Sequence, residues 1–143
     1  MQKIEHIGIA VSDLDQANAL YEKLFGAPAY KTETVESEGV STSFFKAGPN
    51  KIELLQATNP NSPIAKFIAK KGEGIHHIAF AVNNIFNEVE RLKKEGFIVL
   101  NEVPKKGADN KLVVFLHPKS THGVLIELCQ DAGEINDSSE NIK

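Results

Sequence analysis

From Ile4 the chain alternates between apolar and polar or small positions. Ile7, Ile9 and Val11 fall on one side of an extended segment, and His6, Gly8 and Ala10 on the other. The same alternation returns later, with Ile78, Phe80 and Val82 opposite His77, Ala79 and Ala81. A helical stripe follows each strand. Asp13 and Gln16 stand three apart as in a capping box, and Leu14, Ala17, Tyr21 and Leu24 form an apolar face ending at Gly26. Downstream, Asn84 is the cap, Ile85, Val89 and Leu92 form the stripe, and Gly96 stops it. The rest of each half predicts strands, over 40–47 and 51–56 in the first and 97–102, 112–116 and 124–129 in the second. Gly48-Pro49-Asn50 is a hairpin turn signal. Ser62-Pro63 opens a short helix carrying Ile64, Phe67 and Ile68, which the Lys- and Gly-rich run at 70–74 ends.

These halves are copies. Residues 4–11 and 75–82 agree in five of eight columns at an offset of 71. The IELLQ run at 52–56 and the IELCQ run at 126–130 agree in four of five at an offset of 74. Two matches in the same order, at offsets that one loop insertion reconciles, predict an internal repeat. The expected organisation is one domain over 1–130, built from halves at about 1–60 and 75–130 joined by the short helix. A polar tail over 131–143 follows.

Composition narrows the class without reaching the chemistry. With 143 residues, 41% hydrophobic and 24% charged, the chain has the make-up of a single globular domain. No apolar run approaches the ~20 residues a membrane span requires, and the N-terminus does not read as a secretion signal. Cys129 is the only cysteine, which excludes an intrachain disulfide and points to a reducing, cytoplasmic setting. A net charge of −3 gives no broad attraction to nucleic acid.

The chemistry is carried by polar residues among apolar ones. His6 and Glu53 in the first half, and His77 and Glu127 in the second, all lie in strands otherwise built of Ile, Leu, Val and Ala. Taken singly, each could sit on a wet sheet face. Taken as a repeated pair, they predict convergence about a pseudo-twofold axis. Two imidazoles and two carboxylates then form a mixed N/O site for a divalent metal, with positions left for substrate oxygens. Adjacent strand residues face opposite ways, so His76 is not expected to ligate the ion that His77 holds. His117 is a turn or site-mouth residue, His122 an exposed turn residue, and Cys129 a small core residue. No Gly-rich phosphate loop and no nucleophile–base pair is present in the sequence, which argues against a hydrolase.

The paired His strand and Ile-Glu-Leu strand, twice over, resemble the vicinal oxygen chelate (glyoxalase-like) superfamily, and within it the methylmalonyl-CoA epimerases. The motifs behind the resemblance are 6–11 (HIGIAV), 62–65 (SPIA), 74–78 (GIHHI) and the run from Phe115-Leu116-His117-Pro118-Lys119 to Gly123-Val124-Leu125-Ile126-Glu127-Leu128. They reach across residues 4–130. The resemblance implies an α+β fold of two tandem βαβββ modules, forming a cupped, mostly antiparallel sheet around a metal site, in a homodimer. It implies one divalent ion per chain, cobalt or zinc foremost with manganese and nickel also compatible, held by His6, Glu53, His77 and Glu127. The family has Gln or Glu at the position of Glu53.

It further implies interconversion of (2R)- and (2S)-methylmalonyl-CoA through a metal-stabilised enolate, with Glu127 as catalytic base and an acyl-CoA as the small-molecule partner. Thr42 stands where some relatives carry a second acid, which leaves the second proton carrier open. Lys105, Lys106 and Lys119 are plausible contacts for the CoA phosphates by charge alone. A glyoxalase I activity would use the same scaffold and ligand types. A metal-free module that sequesters a small molecule would lack the full ligand set.

Overall fold

The computed structural model describes residues 1–133. Two units divide the chain, and the boundary falls inside one strand, between Ile78 and Ala79.

The unit Ile4–Ile78 holds most of β1 (Lys3–Ala10), then α1 (Leu14–Phe25), β2 (Lys31–Val35), β3 (Val40–Ala47), β4 (Asn50–Ala57), α2 (Pro63–Lys71) and the start of β5 (Gly74–Ala81). Its strand order is β2-β3-β4-β1-β5. β3 runs antiparallel to both neighbours, whereas β1 and β4 are parallel, with Gly8 opposite Glu53. α1 forms where the stripe predicted it. The Asp13 side chain accepts from the Gln16 N–H, and Gly26 closes the helix in the left-handed conformation at φ 74°. Ile9, Val11, Leu14, Phe45 and Leu54 pack between one sheet face and α1. The opposite face carries Ala10 and Leu55, sealed by Ile64, Phe67 and Ile68 of α2. That second face is also the one on which the alternation places His6 and Glu53, so α2 roofs the strand ends beside them.

The other unit, Met1–Lys3 with the chain from Ala79 onward, holds the end of β5, α3 (Ile85–Lys94), β6 (Lys105–Lys106), β7 (Lys111–Leu116) and β8 (Ile126–Asp131), in the order β5-β8-β7-β6. β7 is antiparallel to β6 and β8. Val82, Ile85, Val89, Leu92, Val114, Leu116 and Leu128 form the core under α3. Cys129 is buried with Ala79 and Val113, as a small core residue should be.

The two units repeat one internal wiring. The Val11 N–H donates to the Leu55 carbonyl at 2.9 Å, and the Val82 N–H to the Cys129 carbonyl at 3.0 Å. The Leu14 N–H donates to Gln56 Oε1 at 2.5 Å, and the Ile85 N–H to Gln130 Oε1 at 2.6 Å. Asp13 and Asn84 each cap the N–H three residues on, at 3.1 Å. Phe44 faces Glu53 across β3 and β4, as Phe115 faces Glu127 across β7 and β8. In every pair the first member advances by 71 residues and the second by 71 or 74, the offsets read from the sequence.

Three expectations shift. β2, KTETV, has no apolar face to announce it, because it is an edge strand wetted on alternate residues. The segment 97–102 is not a strand. It is tied beside β7 by the Leu100 N–H to the Phe115 carbonyl, an isolated bridge from Val99 to Leu116, and the Asn101 side chain, which bonds the backbone of Val113 and Phe115. A side chain does the pairing that backbone would otherwise do, and the strand shrinks to Lys105–Lys106. β8 runs through Asp131, which pairs with Lys111 Nζ at 2.8 Å, and Ala132 is buried. The polar tail expected from 131 therefore begins later, and its residues from 134 lie outside those described.

Candidate metal centre

The residues that read as misplaced in the sequence are buried in the fold. His6, Glu53, His77 and Glu127 are 4, 5, 5 and 6% exposed. Within the unit Ile4–Ile78, β1 and β5 bring the two imidazoles together, edge to face, with ring centroids 5.1 Å apart. Their Nε2 atoms are 3.0 Å from each other. Glu53 reaches the opposite edge of the His6 ring, with Oε2 3.1 Å from Nδ1. Glu127 occupies on β8 the register position that Glu53 holds on β4.

A residue that the pattern reading passed over belongs to the same cluster. Glu5 is only 4% exposed. Its Oε1 lies 2.7 Å from His6 Nδ1, and its Oε2 2.9 Å from Lys51 Nζ. Burial alone would raise this carboxyl, but hydrogen bonds from His6 and Lys51 outweigh it and hold the group down to about 2. The signal was present, since Glu5 stands in an apolar strand just as Glu53 does. Its counterpart one repeat on is His76, whose Nδ1 lies 2.9 Å from His77 Nδ1. Burial lowers His76 to about 4. Burial, then the neighbouring His6 and His76, push His77 well below its ordinary value, so both rings are neutral at neutral pH.

Gly8 lies on the same face as His6, and its lack of a side chain makes room for a ring. A Cβ built there would stand 2.3 Å from His77 Cε1. Thr42 is fully buried on β3, and its Oγ1 has no hydrogen-bond partner among the described residues. By alternation it shares the face of Phe44, the residue opposite Glu53.

The donor chemistry fits a divalent ion. Neutral imidazoles offer lone pairs, carboxylates offer anionic oxygens, and the pair is shielded from water. Ligand nitrogens each ~2.1 Å from an ion and at right angles to one another lie ~3 Å apart, close to the separation of the two Nε2 atoms. Glu5, His6 and Glu53 also offer three donor atoms within 4.8 Å of one another, on the Nδ1 side.

His117 accepts from the Lys119 N–H at 3.0 Å as a turn cap, and His122 is exposed at φ 55°. Lys105 lies over the Phe115 ring, 5.7 Å from its centroid, while Lys106 and Lys119 are exposed.

Comparison with known proteins identifies the family of the chain. The model of the Glyoxalase/Bleomycin resistance protein/Dioxygenase superfamily matches residues 5–115. The mitochondrial methylmalonyl-CoA epimerase of Homo sapiens is 43% identical over 129 residues, 90% of this chain and 73% of its own length. The ethylmalonyl-CoA/methylmalonyl-CoA epimerase of Cereibacter sphaeroides is 42% identical, over 90% of this chain and 97% of its own. A Streptomyces coelicolor methylmalonyl-CoA epimerase variant, solved in complex with 2-nitronate-propionyl-CoA, has a TM-score of 0.88 and 36% identity over 92% of this chain and 96% of its own.

Proposed function

The chain belongs to the glyoxalase/bleomycin resistance protein/dioxygenase superfamily, among its methylmalonyl-CoA epimerases, and on that premise we propose that it is a metal-dependent isomerase interconverting (2R)- and (2S)-methylmalonyl-CoA. One observation supports the metal most directly: two buried imidazoles whose Nε2 atoms stand 3.0 Å apart while their Nδ1 atoms are engaged elsewhere. His6, Glu53, His77 and Glu127 are the proposed ligands; Glu53, which sits on the Nδ1 side of His6 here, would have to swing its carboxylate around the ring to join an ion at the two Nε2 atoms. For Glu127 the support is its burial and its place in the repeat. The substrate is a small acyl-CoA and the working form a homodimer, as the likeness implies; the single cysteine fits a reducing, cytoplasmic setting.

Bound by this set, a divalent cobalt or zinc ion supplies Lewis-acid stabilisation for the negative charge that develops on the thioester oxygen, a contribution of several kcal/mol. The chain's own residues move the proton. A hydrogen alpha to a thioester is weakly acidic, and the Glu127 carboxylate is the base proposed to take it. Inversion requires return of a proton to the opposite face. A hydroxyl is neither a strong acid nor a strong base, so Thr42 would take part only by passing on, through a water, a proton that another group supplies.

The test is exchange in deuterium oxide with the cobalt- or zinc-loaded protein. Methylmalonyl-CoA should gain deuterium at the alpha carbon and lose its stereochemical purity. Glu127→Gln, measured at saturating metal, should lower exchange by ~10²–10⁴-fold, whereas Glu53→Gln, which keeps an oxygen donor, should still exchange. Exchange in Glu127→Gln at the parent rate would make Glu127 a ligand only. Turnover of the glutathione hemithioacetal with none of the thioester would replace the epimerase reading by a glyoxalase one.

A further inference from the structure

The two proposed histidine ligands are each preceded by a polar residue, Glu5 before His6 and His76 before His77, and these stand at equivalent places in the repeat. Neighbours on a strand project to opposite faces, so a contact between them requires one side chain to fold back along the strand. Both pairs make that contact, and both make it at the same ring atom. Glu5 Oε1 lies 2.7 Å from His6 Nδ1, and His76 Nδ1 lies 2.9 Å from His77 Nδ1.

We propose that Glu5 and His76 are positioning residues, which keep the protons of His6 and His77 on Nδ1 and turn both Nε2 lone pairs toward one divalent ion. The inference rests on the metal reading above. A carboxylate only accepts hydrogen bonds, so the His6 proton sits on Nδ1 and Nε2 is left with its lone pair. His76 has the same effect on His77 by accepting at its own Nδ1, with its own proton on Nε2. Each positioning residue is itself held from another element. The Lys51 ammonium on β4 lies 2.9 Å from the second oxygen of Glu5. The His76 ring packs T-shaped against Phe67 of α2, with centroids 5.0 Å apart and planes at 83°. The two copies differ in charge. The Glu5 anion makes His6 the stronger electron donor, while the neutral His76 orients its partner without adding charge.

The test measures ring protonation and zinc affinity on the full chain. In zinc-loaded protein with ¹⁵N-labelled histidine, long-range ¹H–¹⁵N spectra should show His6 and His77 protonated on Nδ1. Glu5→Gln and His76→Phe should each weaken zinc binding by ~10–100-fold in a chelator competition, the usual effect of losing such a partner. His76→Asn places an amide oxygen near the lost Nδ1 and should restore most of the affinity, which a purely packing role for His76 would not do. A proton on Nε2 of either ring in the zinc-loaded parent overturns the proposal. So does parental zinc affinity in both Glu5→Gln and His76→Phe. A parent chain that takes up no zinc would overturn the metal reading itself, and the titration of the parent separates that failure from the other.

Discussion

At Gly8 a single missing side chain decides whether a histidine can take its place. The backbone there is ordinary, so Gly8→Ala is not opposed by conformation; it is opposed by the His77 ring, whose Cε1 would lie 2.3 Å from the new methyl. The ring is buried and held on both nitrogens, and it must shift for the methyl to fit. Gly8→Ala should destabilise the fold by only about 1–3 kcal/mol yet weaken metal binding by at least tenfold. Thermal unfolding read beside a metal titration checks both. Equal, small losses in each would mean that the ring relaxes freely. At this scale the sequence was informative about identity and less so about role. His6, Glu53, His77 and Glu127 stood out as polar residues in apolar strands. Glu5 carries the same signal. Alternation turns His76 away from the face of His77, but its hold on His77 depends on how a side chain folds back, which alternation does not describe.

The helices are tied to their sheets by a residue that looked incidental. Gln56 and Gln130 end the repeated IELLQ and IELCQ runs, and each accepts the first N–H of a helix, from Leu14 and Ile85. With Asp13 and Asn84 capping two residues further in, each helix start has two of its otherwise unpaired donors satisfied. Replacing either Gln by Leu leaves a partly buried N–H without its acceptor and should cost about 1–2 kcal/mol, read as a lower denaturant midpoint at unchanged slope. Gln→Glu at the same site keeps the acceptor at the positive end of the helix dipole and should be nearly neutral. If Leu and Glu were equally harmless, the contact would be incidental. Element prediction failed where pairing was not driven by an apolar face: β2 is an edge strand of Lys, Thr and Glu, and 97–102 is held by the Asn101 side chain.

For the whole molecule, metal and folding are linked. A site made only in the folded chain adds stability as ion is bound, by about 2.7 kcal/mol at a hundredfold excess over Kd. For a domain of this size that is a rise in Tm of roughly 10 °C. Zinc or cobalt added to chelated protein should raise the unfolding temperature by that order, EDTA should reverse it, and magnesium, which favours oxygen donors, should do less. A Tm indifferent to all three ions would contradict a metal centre in this fold.

The sequence by itself determined the repeat, and with it a great deal. The two repeated halves, helix caps at Asp13 and Asn84, the apolar stripes and the four residues of the proposed ligand set all follow from periodicity and near-equal offsets, which depend on local geometry. Tertiary structure alone decided which edge of each ring faces what. It set the Nε2 atoms of His6 and His77 3.0 Å apart, and brought Glu5 and Glu53 to the other side of His6. It left the Thr42 hydroxyl buried without a partner among the described residues. These are contacts between residues distant in the chain, or between neighbours whose side chains turn against the alternation. Their geometry is fixed by packing between strands, and no spacing along the chain encodes it.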